Sequence, residues 1–307
     1  MKNSVKQHAS ALTAVLACLA LALVLYHSLA GGTLLQSSPY NSYALQAENW
    51  LAGRNNIANG ENYTWLELAI YQGRYYQSFP PVPAVLMLPF VAAAGEWSAI
   101  PGNLIAMGLA LLCAGGVYAC CMRGGMQPVT CAFFTLFVSM GSNVFWMSTS
   151  DGVWFLAQVC ALGFAFWGLF FAQGGNAVQD AAASLCMALA VGCRPFYALL
   201  LACWLGWQFY QRRSLKRILP ALLPAVVMAA CMMAYNFARF GSVTEFGHNY
   251  LPEFVRAENG QFSLTYLVPN LLQLLRPVTL DAQGQLHFEI YNGFLFFAAN
   301  PLFLLAM

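Results

Sequence analysis

Long apolar runs dominate the chain, near residues 9–30, 102–121, 130–147, 153–173, 182–210, 218–236 and 288–307. A helix needs about 20 predominantly apolar residues to cross a bilayer, and each of these runs approaches or exceeds that length. The run 182–210 is broken at Arg194-Pro195. Proline removes a helical hydrogen bond and clashes with the preceding turn, so this run is expected to make two short or tilted helices with a turn between them. Segment 80–95 is apolar but short, and it carries Pro80, Pro81, Pro83 and Pro89. Such a stretch suits an interfacial or re-entrant piece better than a span. The pattern predicts an all-α, polytopic transmembrane bundle of about eight helices, organised as a single module over 1–307.

Two polar stretches interrupt this pattern, at 31–101 and 237–287. In the first, Ser37-Ser38-Pro39 precedes a segment from Tyr40 to Gly53 that reads as an amphipathic helix stopped by glycine. Further on, Tyr71 to Tyr76 reads as a tight turn around Gly73 between two short elements. Trp50, Trp65, Tyr71, Tyr75, Tyr76 and Phe79 crowd this region, as aromatics do at a membrane interface. The second stretch carries Tyr235-Asn236-x-x-Arg239-Phe240-Gly241-Ser242 at its entry and Glu245-Phe246-Gly247-His248 after it.

Charge orients the pattern. If 80–95 does not cross, 182–210 crosses twice and the N-terminus is cytoplasmic, then Lys2, Lys6, Arg123 and the cluster Arg212, Arg213, Lys216, Arg217 all lie inside. This satisfies the positive-inside rule, and of the acidic residues only Asp180 then lies inside. Both long polar segments face outward. Only 8% of residues are charged and 60% are hydrophobic, against roughly 25% charged in a soluble domain, so most of the surface is expected to face lipid. Lys2 and Lys6 ahead of the first run resemble the basic region of a signal peptide. The run's length and the want of a small-residue cleavage site favour an uncleaved first helix. The net charge of +2 gives no reason to expect nucleic acid; membrane lipids are the expected surroundings.

Candidate chemistry is sparse. The ten cysteines lie in or beside apolar runs and read as small packing residues. Neither they nor His8, His27, His248 and His287 have metal-ligand spacing, so no cofactor is expected; a divalent metal is compatible but nothing indicates it. Four groups stand out. Asn41 and Glu48, seven residues apart, share one face of the 40–53 helix, and Glu48 could serve as a general base or merely as a solvated charge. Glu67, Tyr75 and Tyr76 flank the predicted turn, in a loop that could equally be folded on its own aromatics. Asp151, in Ser148-Thr149-Ser150-Asp151-Gly152, could cap the next helix or act at the membrane edge. Arg194, with Arg239, Glu245 and His248 later in the chain, could bind phosphate, since guanidinium donates in pairs, or could pair with Asp151 or a headgroup.

These features resemble the bacterial membrane glycosyltransferases of the GT-C superfamily, relatives of the polyprenyl- or dolichyl-phosphate-mannose transferases, over roughly residues 9–250. The resemblance rests on Tyr71-Gln-Gly-Arg-Tyr-Tyr-Gln-Ser-Phe-Pro-Pro-Val-Pro83, on Ser148-Thr-Ser-Asp151, on the break at Arg194-Pro195 and on Tyr235 to Gly247, in that order. It implies transfer of a sugar from a polyprenyl-phosphate donor to a glycan, lipid or protein acceptor of the cell envelope. The transfer would occur on the non-cytoplasmic face of a bacterial inner membrane. It also implies an acidic base on the first external loop, at the position that holds Asn41 here, leaving Glu48 or Glu67 to replace it. Relatives continue beyond the point where Met307 falls, inside the apolar run 294–307, so an inactive fragment is one alternative. A transporter or flippase of lipid-linked glycans is another, for which matched broken helices in two halves would be expected.

Overall fold

The computed structural model describes residues 2–256, 258–260, 263–287 and 295. The chain divides into two compact units, Met1–Gly247 and His248–Met307. The predicted run at 288–307 lies outside the described residues except for residue 295. The boundary between units falls within the 237–287 segment, so that segment is not one continuous element.

The first unit is mostly helical. Its helices are α1 (Lys2–Leu29), α2 (Ser42–Leu51), α3 (Val82–Ala94), α4 (Gly102–Arg123), α5 (Pro128–Met140), α6 (Val144–Met147), α7 (Val153–Ala172), α8 (Ala177–Val191), α9 (Tyr197–Arg212) and α10 (Leu215–Phe240). A two-stranded hairpin, β1 (Leu68–Tyr71) and β2 (Arg74–Gln77), stands between α2 and α3. Among the described residues, four helices are long and apolar enough to cross a membrane: Ser4–Leu29, Gly102–Arg123, Val153–Ala172 and Ile218–Phe240. The other expected spans within this unit are shorter. The 130–147 run divides at Gly141-Ser142-Asn143 into the 13-residue α5 and the single turn α6. The 182–210 run breaks where Arg194-Pro195 predicts, into helices of 15 and 16 residues. At a 1.5 Å rise per residue these reach only about 22–24 Å, short of a hydrocarbon core of about 30 Å.

Contacts between helix ends give the directions. Asn103 at the start of α4 accepts from the Asp151 N–H just before α7 at 3.2 Å. Gln173 at the end of α7 donates to Cys120 near the end of α4. These two helices therefore run parallel. The His8 ring bonds Tyr118 at 3.1 Å, while Tyr26 meets Phe145 and Trp146, so α1 runs against α4. Asp180 at the start of α8 pairs with Arg212 at the end of α9 at 2.6 Å, closing an antiparallel hairpin. One end of the unit thus carries Asn41, Gln77, Asp151, Arg194 and Arg239. The other carries His8, Arg123, Asp180 and Arg212.

Segment 80–95 becomes α3, 13 residues with Pro89 inside it. Its Val82 N–H bonds Gly192 O at 3.0 Å, and it leads by a short connection to α4. It begins and finishes at the same end of the unit. Before it, the turn predicted around Gly73 is a two-residue hairpin loop with Gln72 at φ 49° and Gly73 at φ 71°. Positive φ at both positions matches the right-handed twist of the strands, and glycine takes it without steric cost.

The helix expected over Tyr40–Gly53 is α2, but it does not lie on a surface. Asn41 caps it, its Oδ1 accepting from Ala44 N–H at 2.9 Å, and Gly53 stops it at φ 73°. Ser42 to Ala47 and Asn49 are buried. Tyr43, Ala44 and Ala47 belong to the main core with Phe79, Met87, Leu156 and Ala190. The small residues at 44 and 47 let neighbours approach on two sides. An amphipathic sequence pattern here marks a helix enclosed by protein, with its polar residues bonded or turned inward.

Candidate functional site

Asp151 is fully buried and ties the first loop to the bundle. Its Oδ2 accepts from Ser37 Oγ at 2.5 Å and Asn41 Nδ2 at 2.6 Å, and its Oδ1 from Ser38 N–H at 2.7 Å. Asn103 extends the knot, donating to Thr33 O at 2.9 Å. Gly102 forms the floor: a β-carbon there would overlap the Asp151 carboxylate and stand 2.8 Å from Ser37 Oγ. All three donors are neutral. Burial pushes the Asp151 carboxyl above the ordinary carboxylate value, against the opposing pull of the hydrogen bonds from Ser37, Ser38 and Asn41. Asp151 therefore does not pair with Arg194; it fastens the segment 37–41 at the starts of α4 and α7.

The fastening sets α2 against a polar interior built by two arginines. Arg194, in the turn between α8 and α9, donates from Nη2 to Trp154 O at 2.8 Å and stands over the Phe79 ring at 5.7 Å. Its Nε is buried without a hydrogen-bond partner, and among the described residues no carboxylate pairs with it. Arg239, near the end of α10, donates from Nη1 to Gln77 O at 2.6 Å and from Nη2 to Asn236 Oδ1 at 3.1 Å. Its guanidinium lies 3.9 Å from the Tyr235 ring centre and 4.6 Å from that of Phe240. Its Nε is likewise unpartnered, and the Glu245 charge acts on it.

Tyr43 is fully buried on α2. It is in electrostatic contact with both Arg194 and Tyr235; burial pushes its phenol well above the ordinary value, and the Arg194 charge pulls it back. The hydroxyls of Tyr43 and Tyr235, both amide atoms of Gln46 and the Gln77 Oε1 are buried without partners. An unsatisfied buried polar atom costs about 1–3 kcal/mol, and a whole domain is stable by only about 5–15 kcal/mol. So many orphans in one region signal a place where polar groups from outside the chain belong.

The remaining sequence candidates divide. Glu67 is half-buried, and its Oε2 accepts from Trp154 Nε1 at 3.3 Å; since the Trp154 carbonyl accepts from Arg194, Glu67 and Arg194 border the same tryptophan. Glu48 is half-buried on α2, with no hydrogen bond to its carboxylate among the described residues. Asn41 is the cap of α2, and its amide is committed to Ala44 and Asp151. Tyr75 packs in the cluster of Leu45, Ile57, Leu66 and Leu68, its ring leaving no room for a β-carbon at Gly60. Tyr76 is buried edge-on to Phe240 at 5.2 Å. Glu245 accepts from Gly247 N–H at 2.7 Å, bracing the turn after α10. His248 belongs to the second unit, where it stacks on Phe254. Among the described residues no three His, Cys, Asp or Glu side chains gather as a metal site.

Sequence reasoning missed Gln46, Gln77, Trp154 and Gly102. Gln46 left one trace: Ser42, Gln46 and Trp50 recur at four-residue spacing on one helix face. Beside the site, a groove of about 550 Å³ between α3 and α4 is lined by apolar residues including Leu86, Met87, Phe90, Leu104 and Leu109. No protein-family model, curated protein or solved structure matches this chain.

Proposed function

We propose that this chain is a membrane glycosyltransferase that takes a sugar from a polyprenyl-phosphate donor on the non-cytoplasmic side. The observation that carries this reading is Arg194, a half-buried guanidinium with an orphan Nε–H and no acid partner among the described residues. Guanidinium binds phosphate through paired, charge-assisted hydrogen bonds, and a site with fixed donors stabilises charge that develops on a leaving phosphate. The apolar α3–α4 groove suits a hydrocarbon chain, and Met87, which lines it, packs in the core with Tyr43 and Phe79. The orientation we take is the one the positive-inside rule favours: the end with His8, Arg123 and Arg212 also holds Lys6, Arg213 and Lys216, which supports a cytoplasmic position for it and an external one for the arginine site.

In the transfer, a carboxylate removes the proton of an acceptor hydroxyl. The oxygen attacks the anomeric carbon, and the bond from that carbon to the phosphate oxygen breaks, its electron pair leaving with the phosphate. Glu67 is the carboxylate we assign as base, since it borders Trp154 together with Arg194. The test is release of free polyprenyl phosphate from a panel of polyprenyl-phosphate sugars by detergent-purified protein. Release that falls by about 100-fold or more in Arg194→Ala, the magnitude of losing one fixed oxyanion donor, supports the assignment. Absence of release with every donor, together with no binding of polyprenyl phosphate itself, overturns it.

A further inference from the structure

Ser42, Gln46 and Trp50 occupy one face of α2 at i, i+4 and i+8. Gln77 Nε2 donates to Ser42 Oγ at 2.8 Å at one end of this face. Trp50 meets the Tyr235 ring edge-on at 5.7 Å at the other. Arg239 joins the two ends, bonded to the Gln77 carbonyl and stacked on Tyr235. Gln46 lies between them in the helix, 1% exposed, with neither its amide nitrogen nor its oxygen bonded. The Gln77 Oε1 and the Tyr235 hydroxyl are also buried without partners. This ring of residues therefore offers amide donors and acceptors, a phenol that does both and an indole, with no carboxylate among its members.

We infer that this ring is the sugar-binding subsite of the transferase and that it selects an uncharged, hydroxyl-bearing sugar. The inference rests on the function proposed above and deepens it. A sugar hydroxyl donates and accepts at once, which matches the paired open atoms of Gln46 and the mixed capacity of Tyr235. An amino sugar would bring its ammonium against the Arg239 guanidinium. A site built to hydrogen-bond neutral hydroxyls rejects groups that leave its buried polar atoms unpaired. A uronate would be drawn to Arg239, but its carboxylate would meet the Gln77 Oε1 lone pairs.

The experiment is ligand-detected saturation-transfer NMR on the full detergent-purified chain. The probes are neutral methyl hexopyranosides, a methyl aminohexoside and a methyl uronide, with sugar-free polyprenyl phosphate binding measured in parallel. The neutral glycosides should receive saturation from the wild type, and the signal should fall at least about 10-fold in Gln46→Leu, the discrimination typical when a buried polar partner is removed. Polyprenyl phosphate binding should be unchanged in Gln46→Leu and lost in Arg194→Ala. The thermal midpoint of Gln46→Leu should equal or exceed that of the wild type, because leucine removes two orphan atoms; this separates a lost site from a lost fold. Equal saturation of Gln46→Leu and wild type, no saturation in either, or preference for the charged glycosides overturns the subsite. Loss of polyprenyl phosphate binding in the wild type overturns the transferase reading alone.

Discussion

Replacing Gly102 by alanine tests the knot at Asp151 with the least chemical change. Gly102 is the first residue of α4 and has no positive φ, so helix propensity alone would favour alanine by about 1 kcal/mol. The added methyl would overlap Oδ2 of Asp151. To clear it, the carboxylate must leave the position in which Oδ2 holds Ser37 Oγ and Asn41 Nδ2. Hydrogen bonds to a charged group contribute about 1.5–3 kcal/mol each, so losing two predicts destabilisation of roughly 3–6 kcal/mol. For a chain of this size that corresponds to a fall of about 5–15 °C in the thermal midpoint. The assay is scanning fluorimetry in detergent at fixed scan rate, with limited proteolysis of segment 31–101 as the local readout. Asp151→Ala should also destabilise, but it vacates the space the new methyl needs. The double variant should therefore be no worse than Asp151→Ala alone, a coupling of at least about 2 kcal/mol. If Gly102→Ala matches the wild type, or if the two losses simply add, the carboxylate does not sit against Gly102 and the knot is refuted.

Asn41→Asp should yield no new transfer activity and should lower the thermal midpoint by several degrees, because it sets a second carboxylate against Asp151 Oδ2; gain of activity in a donor-release assay would contradict this. Because burial raises the Asp151 pKa, the folded chain holds that proton to higher pH than the unfolded chain. Stability is then fully present below the ordinary carboxylate value and is lost as pH rises through the raised value; this slope in the midpoint should vanish in Asp151→Asn. Glu67→Gln should lower transfer by about 10²–10⁴-fold, as removal of a general base does, while Glu48→Gln should leave the rate within about twofold; the reverse order in single-turnover assays would move the base to α2. Gly73→Ala should cost about 1 kcal/mol or more through its φ of 71°, read as a lower midpoint with donor binding retained.

Much of the local structure is legible in the sequence because it depends on neighbours. Gln72-Gly73 between aromatic strands encodes its turn, Arg194-Pro195 encodes the helix break, and four prolines keep 80–95 short. What is illegible depends on residues far apart. Hydropathy does not distinguish a face covered by protein from one covered by lipid, so α2 reads as interfacial although Phe79, Met87 and Leu156 enclose it. Asp151 reads as a helix cap or an arginine partner, because its three donors lie more than a hundred residues away. Gln46 and Gln77 read as ordinary polar residues, since only the packed structure shows that the whole Gln46 amide and the Gln77 Oε1 are enclosed without partners. Run length also overstates span length where Gly141 to Asn143 stop α5 early.

The Asp151 knot also sets a timetable for synthesis. Asn41 and Asp151 are 110 residues apart, and chains elongate at about 5–20 residues per second. The first loop must therefore wait about 5–20 s after Asn41 is made before its anchor exists, while α4 and α5 are already being laid down. During that interval the Asn41 amide lacks Asp151, and Tyr43 has the wall of Phe79 and Met87 but not that of Leu156. Changes at Ser37, Asn41 or Gly102 would thus be felt first by the nascent chain, as a longer exposure of the unfastened loop to quality-control proteases. The yield of assembled protein would fall even where the finished molecules retain their full binding properties.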